Sequence, residues 1–207
     1  MSSKFLKLNP EKQDRIVNAA IKEFVQKGFK NASTDEIVKE ANISKGSLFY
    51  YFKDKKGLFL YLYDYCSEIV MNEFFAKIDL NEHDILKRFR EMLLLKIELI
   101  KRYPEIFEFM KVAYFEDAAE VKSDLERRNK EMITRSYQEL FGDIDLSKFR
   151  EDIDAKRAVN IIIWTMEGFS SQQQEKAKSL SLNDLDFDEI LAEMDHYIDL
   201  LKKCFYK

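Results

Sequence analysis

Apolar residues recur at helical spacing along almost the whole chain. Ile16, Ala20 and Phe24 lie four residues apart and form one apolar face. Asn9-Pro10 before this run is typical of a helix start, because an Asn side chain caps free N–H groups and proline fits the first turn. Gly28 after it is typical of a helix end, since glycine readily adopts the left-handed conformation that closes many helices. The pattern therefore predicts a first helix between these two signals.

Two short helices are predicted directly after the first one. Ser33-Thr34-Asp35-Glu36 is a capping box, which places the start of a second helix near Thr34. Asn42 ends that helix, because asparagine tolerates the positive φ of a tight turn. Ser44 is the predicted N-cap of a third helix from Lys45 to about Tyr51. In that helix we expect Leu48 and Phe52 to point inward, and the expected outward side chains are Lys45, Ser47, Phe49, Tyr50 and Tyr51.

Long helical patterns fill the rest of the chain. The predicted helices cover approximately residues 54–77, 84–102, 104–115, 117–141, 152–174 and 186–206. With only 5 Gly and 2 Pro in 207 residues, the sequence is short of the turns and loops that all-β and α/β folds use. We therefore predict an all-α fold of about nine helices.

No stretch of the sequence is apolar for the roughly 18 residues that a membrane span needs. The longest candidate, Ala158–Met166, has nine residues and includes Asn160. The amino-terminal residues lack the apolar core of a signal peptide. Cys66 and Cys204 lie far apart in the sequence, so we expect ordinary buried thiols in a reducing compartment rather than a disulfide framework. These observations predict a cytoplasmic protein that makes no contact with a membrane.

The sequence offers little support for catalysis. It contains no Gly-rich phosphate loop, no C-x-x-C pair and no nucleophile elbow. His83 follows Asn-Glu at a predicted helix start, where a polar capping role explains it. His196 stands three residues before Asp199, and this pair alone is too little for a metal site. We therefore expect no enzymatic activity, no metal and no cofactor.

Charge is distributed unevenly between the two parts of the chain. Residues 1–56 carry 12 Lys+Arg and 7 Asp+Glu, a net charge of +5, whereas residues 57–207 carry 22 and 31, a net charge of −9. A small polyanion-binding module attached to a larger regulatory or oligomerising domain has this distribution. Chance variation of the surface produces it too, so the asymmetry has meaning only beside a motif.

The two short helices supply that motif. Two helices joined by a tight turn form a helix-turn-helix, whose second helix enters the major groove of DNA. Outward aromatic side chains beside lysines suit contacts with the sugar-phosphate backbone and with thymine methyl groups. The alternative is a helical hairpin packed into the core, in which Tyr50 and Tyr51 are buried against the rest of the protein.

The sequence from Arg15 to Phe59 resembles the amino-terminal domain of the tetracycline-repressor (TetR) family of bacterial transcription regulators. Many residues at fixed spacing carry the resemblance: Ala19-Ala20, Phe24, Gly28-Phe29, Ile37, Ala41, Ile43-Ser44, Lys45-Gly46-Ser47-Leu48, Tyr50-Tyr51-Phe52, Asp54-Lys55 and Leu58. The remainder matches nothing specific, as the variable ligand domain of that family would. The departures from the family pattern are Ala32-Ser33 for Thr-Thr, Asn42 for Gly and Phe49 for Tyr.

The resemblance implies roles for individual residues near DNA. The recognition helix would be Lys45–Tyr51, and Gly46 would let this helix approach the DNA backbone closely. Ser33 and Lys55 would each contact a phosphate. The residues that the resemblance places at DNA are Ser33, Lys45, Gly46, Ser47, Tyr50, Tyr51 and Lys55.

The resemblance also implies two domains and a homodimer. Residues 1–53 would form the helix-turn-helix domain, and residues 54–207 a ligand-binding and dimerisation domain. In the family, the last two helices pair with those of a second copy, so that two recognition helices read the half-sites of a palindromic operator. Core packing within one chain is the alternative role for these apolar helices. The residues expected at the dimer interface are Ile162, Met166, Ile190, Met194, Tyr197 and Leu201.

Aromatic and methionine side chains in the larger domain could line an apolar pocket, although core packing explains each of them as well. The candidates are Phe74, Phe89, Met92, Phe107, Met110, Tyr114 and Trp164. We therefore predict a repressor that an unidentified small apolar or aromatic effector releases from double-stranded DNA through linkage. Two alternatives stay open: a constitutive DNA-binding dimer without an effector, and a small-molecule-binding protein with a vestigial helix-turn-helix.

Overall fold

The structure is a computed structural model that describes residues 4–207, and it confirms the all-α prediction. Its helices are α1 (Pro10–Asn31), α2 (Thr34–Glu40), α3 (Lys45–Phe52), α4 (Lys55–Phe75), α5 (Ile85–Arg102), α6 (Pro104–Phe115), α7 (Lys122–Phe141), α8 (Ala155–Ala177) and α9 (Phe187–Phe205). Within residues 4–207, extended pairing is limited to one bridge between Phe149 and Tyr206. No helix in this range is long and apolar enough to cross a membrane.

Most helix ends coincide with the capping signals of the sequence. The side chain of Asn9 accepts a hydrogen bond from the Glu11 N–H at the start of α1. Asp186 likewise accepts from the Glu189 N–H at the start of α9. The start of α8 differs from the prediction, because Asp154 caps this helix through the Arg157 N–H while Asp152 pairs with Arg150 instead.

The helices form two compact units. The first unit comprises the described residues of Met1–Asn72 together with Tyr103–Glu131, and the second comprises Glu73–Arg102 and Met132–Lys207. The compact units therefore do not divide at residues 53 and 54, because the beginning of α4 and all of α6 share a core with α1. The division into 1–53 and 54–207 stays a prediction about function.

An aromatic cluster forms the centre of the first unit. The ring of Phe59 on α4 lies 4.9 Å from the ring of Phe24 on α1 and 5.3 Å from the ring of Phe109 on α6, measured between centroids. A second group forms around Phe5, whose fully buried ring lies 4.8 Å from Phe52 and 5.2 Å from Tyr61. These rings join α1, α3, α4 and α6 into one core.

The second unit has its own core, built from α5, α8 and α9. The structure corrects the predicted dimer residues here, because four of the six face this core: Ile162, Met166, Met194 and Leu201. Ile190 and Tyr197 are half-buried against the same core. These side chains pack α8 and α9 against the core of their own chain. The residues predicted at the dimer interface therefore lie on the inward faces of both helices.

The two cysteines differ in their surroundings. Cys66 is fully buried in the core of the first unit, and burial raises the pKa of its thiol to about 12. Its thiol therefore stays protonated near neutral pH, as expected of a structural cysteine. Cys204 on α9 is exposed, which corrects the expectation that both thiols are buried.

The buried carboxylate of Asp84 connects three segments of the second unit that are distant in the sequence. Asp84, which is 4% exposed, accepts hydrogen bonds from the Lys148 ammonium at 3.0 Å and from the Tyr206 hydroxyl at 2.8 Å. Burial raises the pKa of the Asp84 carboxyl, but the bonds from Lys148, Tyr206 and the Lys87 N–H together lower it more. The pKa of Asp84 is therefore lowered in the folded protein, so its negative charge stabilises the fold.

We expect Asp84→Asn to lower the free energy of unfolding by about 2 kcal/mol at neutral pH, because the negative charge opposite Lys148 is lost and the amide keeps only one oxygen, so either Lys148 or Tyr206 loses its acceptor. Urea unfolding followed by circular dichroism measures this difference. It should shrink in acid, since the contribution of a carboxyl with a lowered pKa is lost as the pH falls through that pKa. Arg150→Met, which removes an exposed ion pair with Asp152, is the control and should change little. Equal stability of wild type and Asp84→Asn at neutral pH would contradict this account.

Candidate DNA-binding interface

α2 and α3 are joined by a tight turn, as the sequence predicts. Ser33 caps α2, its side-chain oxygen accepting from the Glu36 N–H. Asn42 adopts the left-handed conformation with φ of 52°, which reverses the chain after α2. Ser44 then caps α3 by accepting from the Ser47 N–H at 3.1 Å. These local signals confirm a helix-turn-helix with α3 as its second helix.

The two faces of α3 differ in exposure. Leu48 and Phe52 point into the core of the first unit, as predicted. Tyr50 is 60% exposed, whereas Tyr51 is half-buried, with its ring 5.9 Å from the ring of Phe5. The exposure of Tyr50 argues against the core-packed hairpin, which requires both tyrosines to be buried.

Polar groups surround the outward face of α3. The Lys45 ammonium lies 2.7 Å from a carboxylate oxygen of Asp35 on α2, so these exposed charges connect the two helices. The Lys4 ammonium lies 4.2 Å from the centroid of the Tyr50 ring, a cation–π contact. The hydroxyl oxygens of Ser44 and Ser47 lie 2.8 Å apart. Lys4 therefore brings a further positive charge next to the exposed tyrosine.

A glycine bend separates the last residues of α1 from the rest of that helix. Gly28 has φ of 67°, a left-handed value that only glycine adopts without strain. The Phe29 N–H after the bend donates to one carboxylate oxygen of Glu116 at 2.9 Å, and the Ala118 N–H donates to the other oxygen at 2.9 Å. Glu116, which follows α6, thereby replaces helical partners that the bend removes.

Lys55 at the start of α4 contacts the backbone at the carboxyl end of α1. Its ammonium donates to the carbonyl oxygens of Lys30 at 3.1 Å and Ala32 at 3.2 Å and lies over the Phe29 ring. Lys55 therefore holds the carboxyl end of α1, a structural role that the sequence prediction missed. An ammonium has three N–H groups, so one N–H stays available to a phosphate.

Glu23 is a second residue that the sequence analysis missed. Its buried carboxylate accepts from the Ser33 N–H at 2.8 Å and from Lys27 at 2.9 Å. Burial raises the pKa of the Glu23 carboxyl, while these two bonds lower it more, so the net pKa is lowered. A charged residue next to Phe24 on the apolar face of α1 was the available signal. Through its bond with the Ser33 N–H, Glu23 holds the backbone of the residue that caps α2.

The seven predicted pocket residues are divided between the two units. Phe107, Met110 and Tyr114 belong to the first unit, where Tyr114 is exposed. In the second unit, Trp164 is 66% exposed and Phe89 is buried. Phe74 and Met92 are half-buried residues of the second unit. A ligand pocket built from these residues stays a prediction.

Comparison with known proteins places this motif in a family. The family described as "Bacterial regulatory proteins, tetR family" matches residues 16–62. The uncharacterized HTH-type transcriptional regulator YdgC of Bacillus subtilis is 26% identical over 163 residues, which cover 76% of this chain and 78% of YdgC. The uncharacterized regulator YuxN of the same organism is 44% identical over 55 residues, 27% of this chain and 19% of YuxN. The Staphylococcus aureus negative transcriptional regulator IcaR is 36% identical over 63 residues, 28% of this chain and 34% of IcaR.

Solved structures share the fold over nearly the whole chain. A TetR family transcriptional regulator from Chloroflexus aurantiacus has a TM-score of 0.60 at 20% identity and covers 99% of this chain and 97% of its own. NalD, a repressor of a multidrug efflux pump in Pseudomonas aeruginosa, has a TM-score of 0.63 at 15% identity, with coverage of 96% and 99%. FadR of Bacillus subtilis, solved in complex with stearoyl-CoA, has a TM-score of 0.55 at 14% identity, with coverage of 91% and 96%. Residues 16–62, which contain the helix-turn-helix, therefore match the tetR family of bacterial regulatory proteins, and the fold is shared with a TetR family regulator over nearly the whole chain.

Proposed function

We propose that this protein is a DNA-binding transcriptional repressor that binds a palindromic operator as a homodimer and is released by a small-molecule effector. The observation that carries the proposal is the exposed face of α3. This face presents Tyr50, the open helix start at Gly46 and the ammonium of Lys45 on the second helix of a helix-turn-helix. Helices in this position read base edges in the major groove through their first turns.

The proposed DNA contacts divide into phosphate and base contacts. Ser33 uses its side-chain oxygen as an acceptor within α2, which leaves its hydroxyl hydrogen free to donate to a phosphate. Lys55 offers its third N–H to another phosphate. On α3, Lys45, Ser47 and Tyr50 face the groove, while the half-buried Tyr51 reaches the backbone with its hydroxyl. In this complex the Lys45 ammonium leaves the carboxylate of Asp35 and contacts DNA instead.

A homodimer is proposed because large apolar side chains are exposed on both α8 and α9. Ile161 and Trp164, three residues apart on α8, are 42% and 66% exposed, and Leu200 on α9 is 58% exposed. Exposed large apolar side chains at helical spacing suit a contact with a second copy. These three residues replace the buried ones that the sequence analysis selected. A two-fold dimer places two α3 helices at half-sites about 34–36 Å apart, or a multiple of that distance.

Repression and release by an effector are supported by the similar proteins. IcaR is named a negative transcriptional regulator, NalD a repressor, and FadR was crystallised with stearoyl-CoA. We infer that an effector binds best to a conformation in which the α3 helices of the dimer are wrongly spaced for DNA. Operator affinity then falls by the ratio of the effector's affinities for the two conformations.

Selection of bound duplexes from a random DNA library at near-physiological salt tests this function. We expect the sequenced products to share one palindrome, because a two-fold dimer presents α3 twice. The salt dependence of binding to that palindrome should be steep, since lysines displace counterions from phosphates. Recovery of no common sequence, with only salt-sensitive bulk binding, would contradict the proposal and favour a vestigial helix-turn-helix.

Gly46→Ala tests how closely DNA approaches α3. In the free protein the nearest atom to an added methyl group is the Ser44 side-chain oxygen at 4.0 Å, so we expect an unchanged or higher melting temperature. Affinity for the selected operator should fall about tenfold or more, because the methyl group prevents one or two charge-assisted bonds to phosphate. Ser123→Ala, an exposed helical position of the same unit, is the control for fluorescence anisotropy. Unchanged affinity of Gly46→Ala would refute the close approach.

Trp164→Glu and Leu200→Glu test the dimer. Each places a charge within the proposed apolar contact, so both variants should sediment as monomers at concentrations where wild type is dimeric. Leu94→Glu changes an exposed apolar residue on α5 and should stay dimeric. Analytical ultracentrifugation separates these results. Dimeric behaviour of both α8 and α9 variants would reject this face as the interface.

A further inference from the structure

Lys96 occupies an unexpected position on α5. The buried side chains of this helix define its inward face: Ile85, Leu86, Arg88, Phe89, Ile97, Leu99 and Ile100. At about 100° per residue, Lys96 points only about 20° from the direction of Ile85, in the middle of that face. Lys96 is nevertheless exposed, although Phe89 before it and Ile100 after it on the same face are buried. A side chain that is accessible at the centre of an inward face lies in a recess rather than on the outer surface.

The ammonium of Lys96 has no partner. Among residues 4–207 it makes no ion pair and no hydrogen bond, whereas most charged side chains of α5 do. The protein atoms around this ammonium desolvate it and so lower its pKa, with no carboxylate acting on it. The recess therefore places no negative charge next to Lys96. An unpaired cation in such surroundings destabilises the empty protein.

The side chains next to Lys96 on α5 are apolar. Met92 and Leu93 lie four and three residues before it, and Ile100 lies four residues after it, so all three border the lysine on one helix face. The recess thus combines an apolar wall with one unpaired positive charge. Apolar sites with a single charged group select ligands that carry the opposite charge on an apolar body.

We propose that Lys96 anchors the carboxylate of a small organic acid with an alkyl or aromatic body. This inference rests on the proposed function and narrows its effector to an anionic amphiphile. A carboxylate supplies the charge-assisted bond that Lys96 lacks, and the low polarity of the recess strengthens that bond. A neutral molecule of the same shape gains only apolar burial, and a cation is repelled.

Calorimetric titration of the full chain with matched probes tests the proposal. The acids are octanoate and 2-naphthoate, their neutral counterparts are octan-1-ol and 2-naphthol, and the cationic probe is octyltrimethylammonium. We expect at least one acid to bind about 10- to 100-fold more tightly than its neutral counterpart, the range of a charge-assisted hydrogen bond. No binding by either acid, or equal affinity of acid and alcohol, would overturn the proposal.

Lys96→Met separates the anchor from the general charge of the protein. In this variant the preference for the acid over its neutral counterpart should disappear. Lys101→Met removes the same charge from an exposed position on the outward side of α5 and should keep the preference. Without ligand, Lys96→Met should melt at an unchanged or higher temperature, because an unpaired charge is removed. A lower melting temperature would assign Lys96 a structural role and contradict the proposal.

Operator binding distinguishes this proposal from the proposed function. Lys96→Met should bind the selected operator as wild type does, but the acid that binds wild type should no longer release it. If wild type selects no operator while the acid binds through Lys96, the anchor is supported and the repressor function fails. If wild type binds its operator and neither acid binds, the repressor function stands and the anchor is overturned.

Discussion

The position of α3 depends on aromatic packing between α1, α4 and α6. Rings from α1, α4 and α6 meet at Phe24, Phe59 and Phe109, and a second group around Phe5 holds the end of α3 against α4. α2 and α3 are short helices that bury few side chains of their own, so this core must hold them. Each aromatic pair adds about 0.5–1.5 kcal/mol to the effect of burial, with a defined geometry. The aromatic core of the first unit therefore positions α2 and α3, and with them the proposed DNA-binding surface.

Polar contacts complete this arrangement where the chain passes from α1 to α2. The Gly28 bend leaves backbone groups that α1 no longer pairs, and they are satisfied by Glu116 after α6 and Lys55 on α4. Glu23 then holds the backbone N–H of Ser33. An unpaired buried backbone group costs about 1–3 kcal/mol, so these three side chains restrict where α2 can begin. The start of α2 consequently depends on side chains from three other helical segments.

Local chemistry made much of the fold and part of the site predictable. Capping residues such as Ser44, the proline that begins α6 and the positive φ of Asn42 each act within a few residues, so the sequence alone identifies them. The inward faces of α8 and α9 were misjudged, because both helices carry apolar residues on more than one side. The roles of Glu116 and Lys55 were missed for a different reason. Their partners are backbone groups 87 and 23 to 25 residues away, and no local pattern reveals such a pairing.

Two residues of the second unit depart from the general rules that large apolar side chains are buried and that cations on apolar faces are paired. Trp164 is a large apolar side chain that is exposed to solvent, and Lys96 is a cation on an apolar face that pairs with no residue in the range 4–207. Each arrangement costs free energy in the isolated chain, whereas buried charges elsewhere in the same unit, such as Asp84, are paired. Local violations of this kind in an otherwise consistent sequence are expected at functional sites. Different contacts would offset these two costs, because an exposed indole is stabilised by burial against an apolar surface and an unpaired ammonium by binding an anion. The second unit therefore has two separate candidate binding features. The exposed indole of Trp164 suits contact with another protein surface, and the ammonium of Lys96 suits a small organic acid.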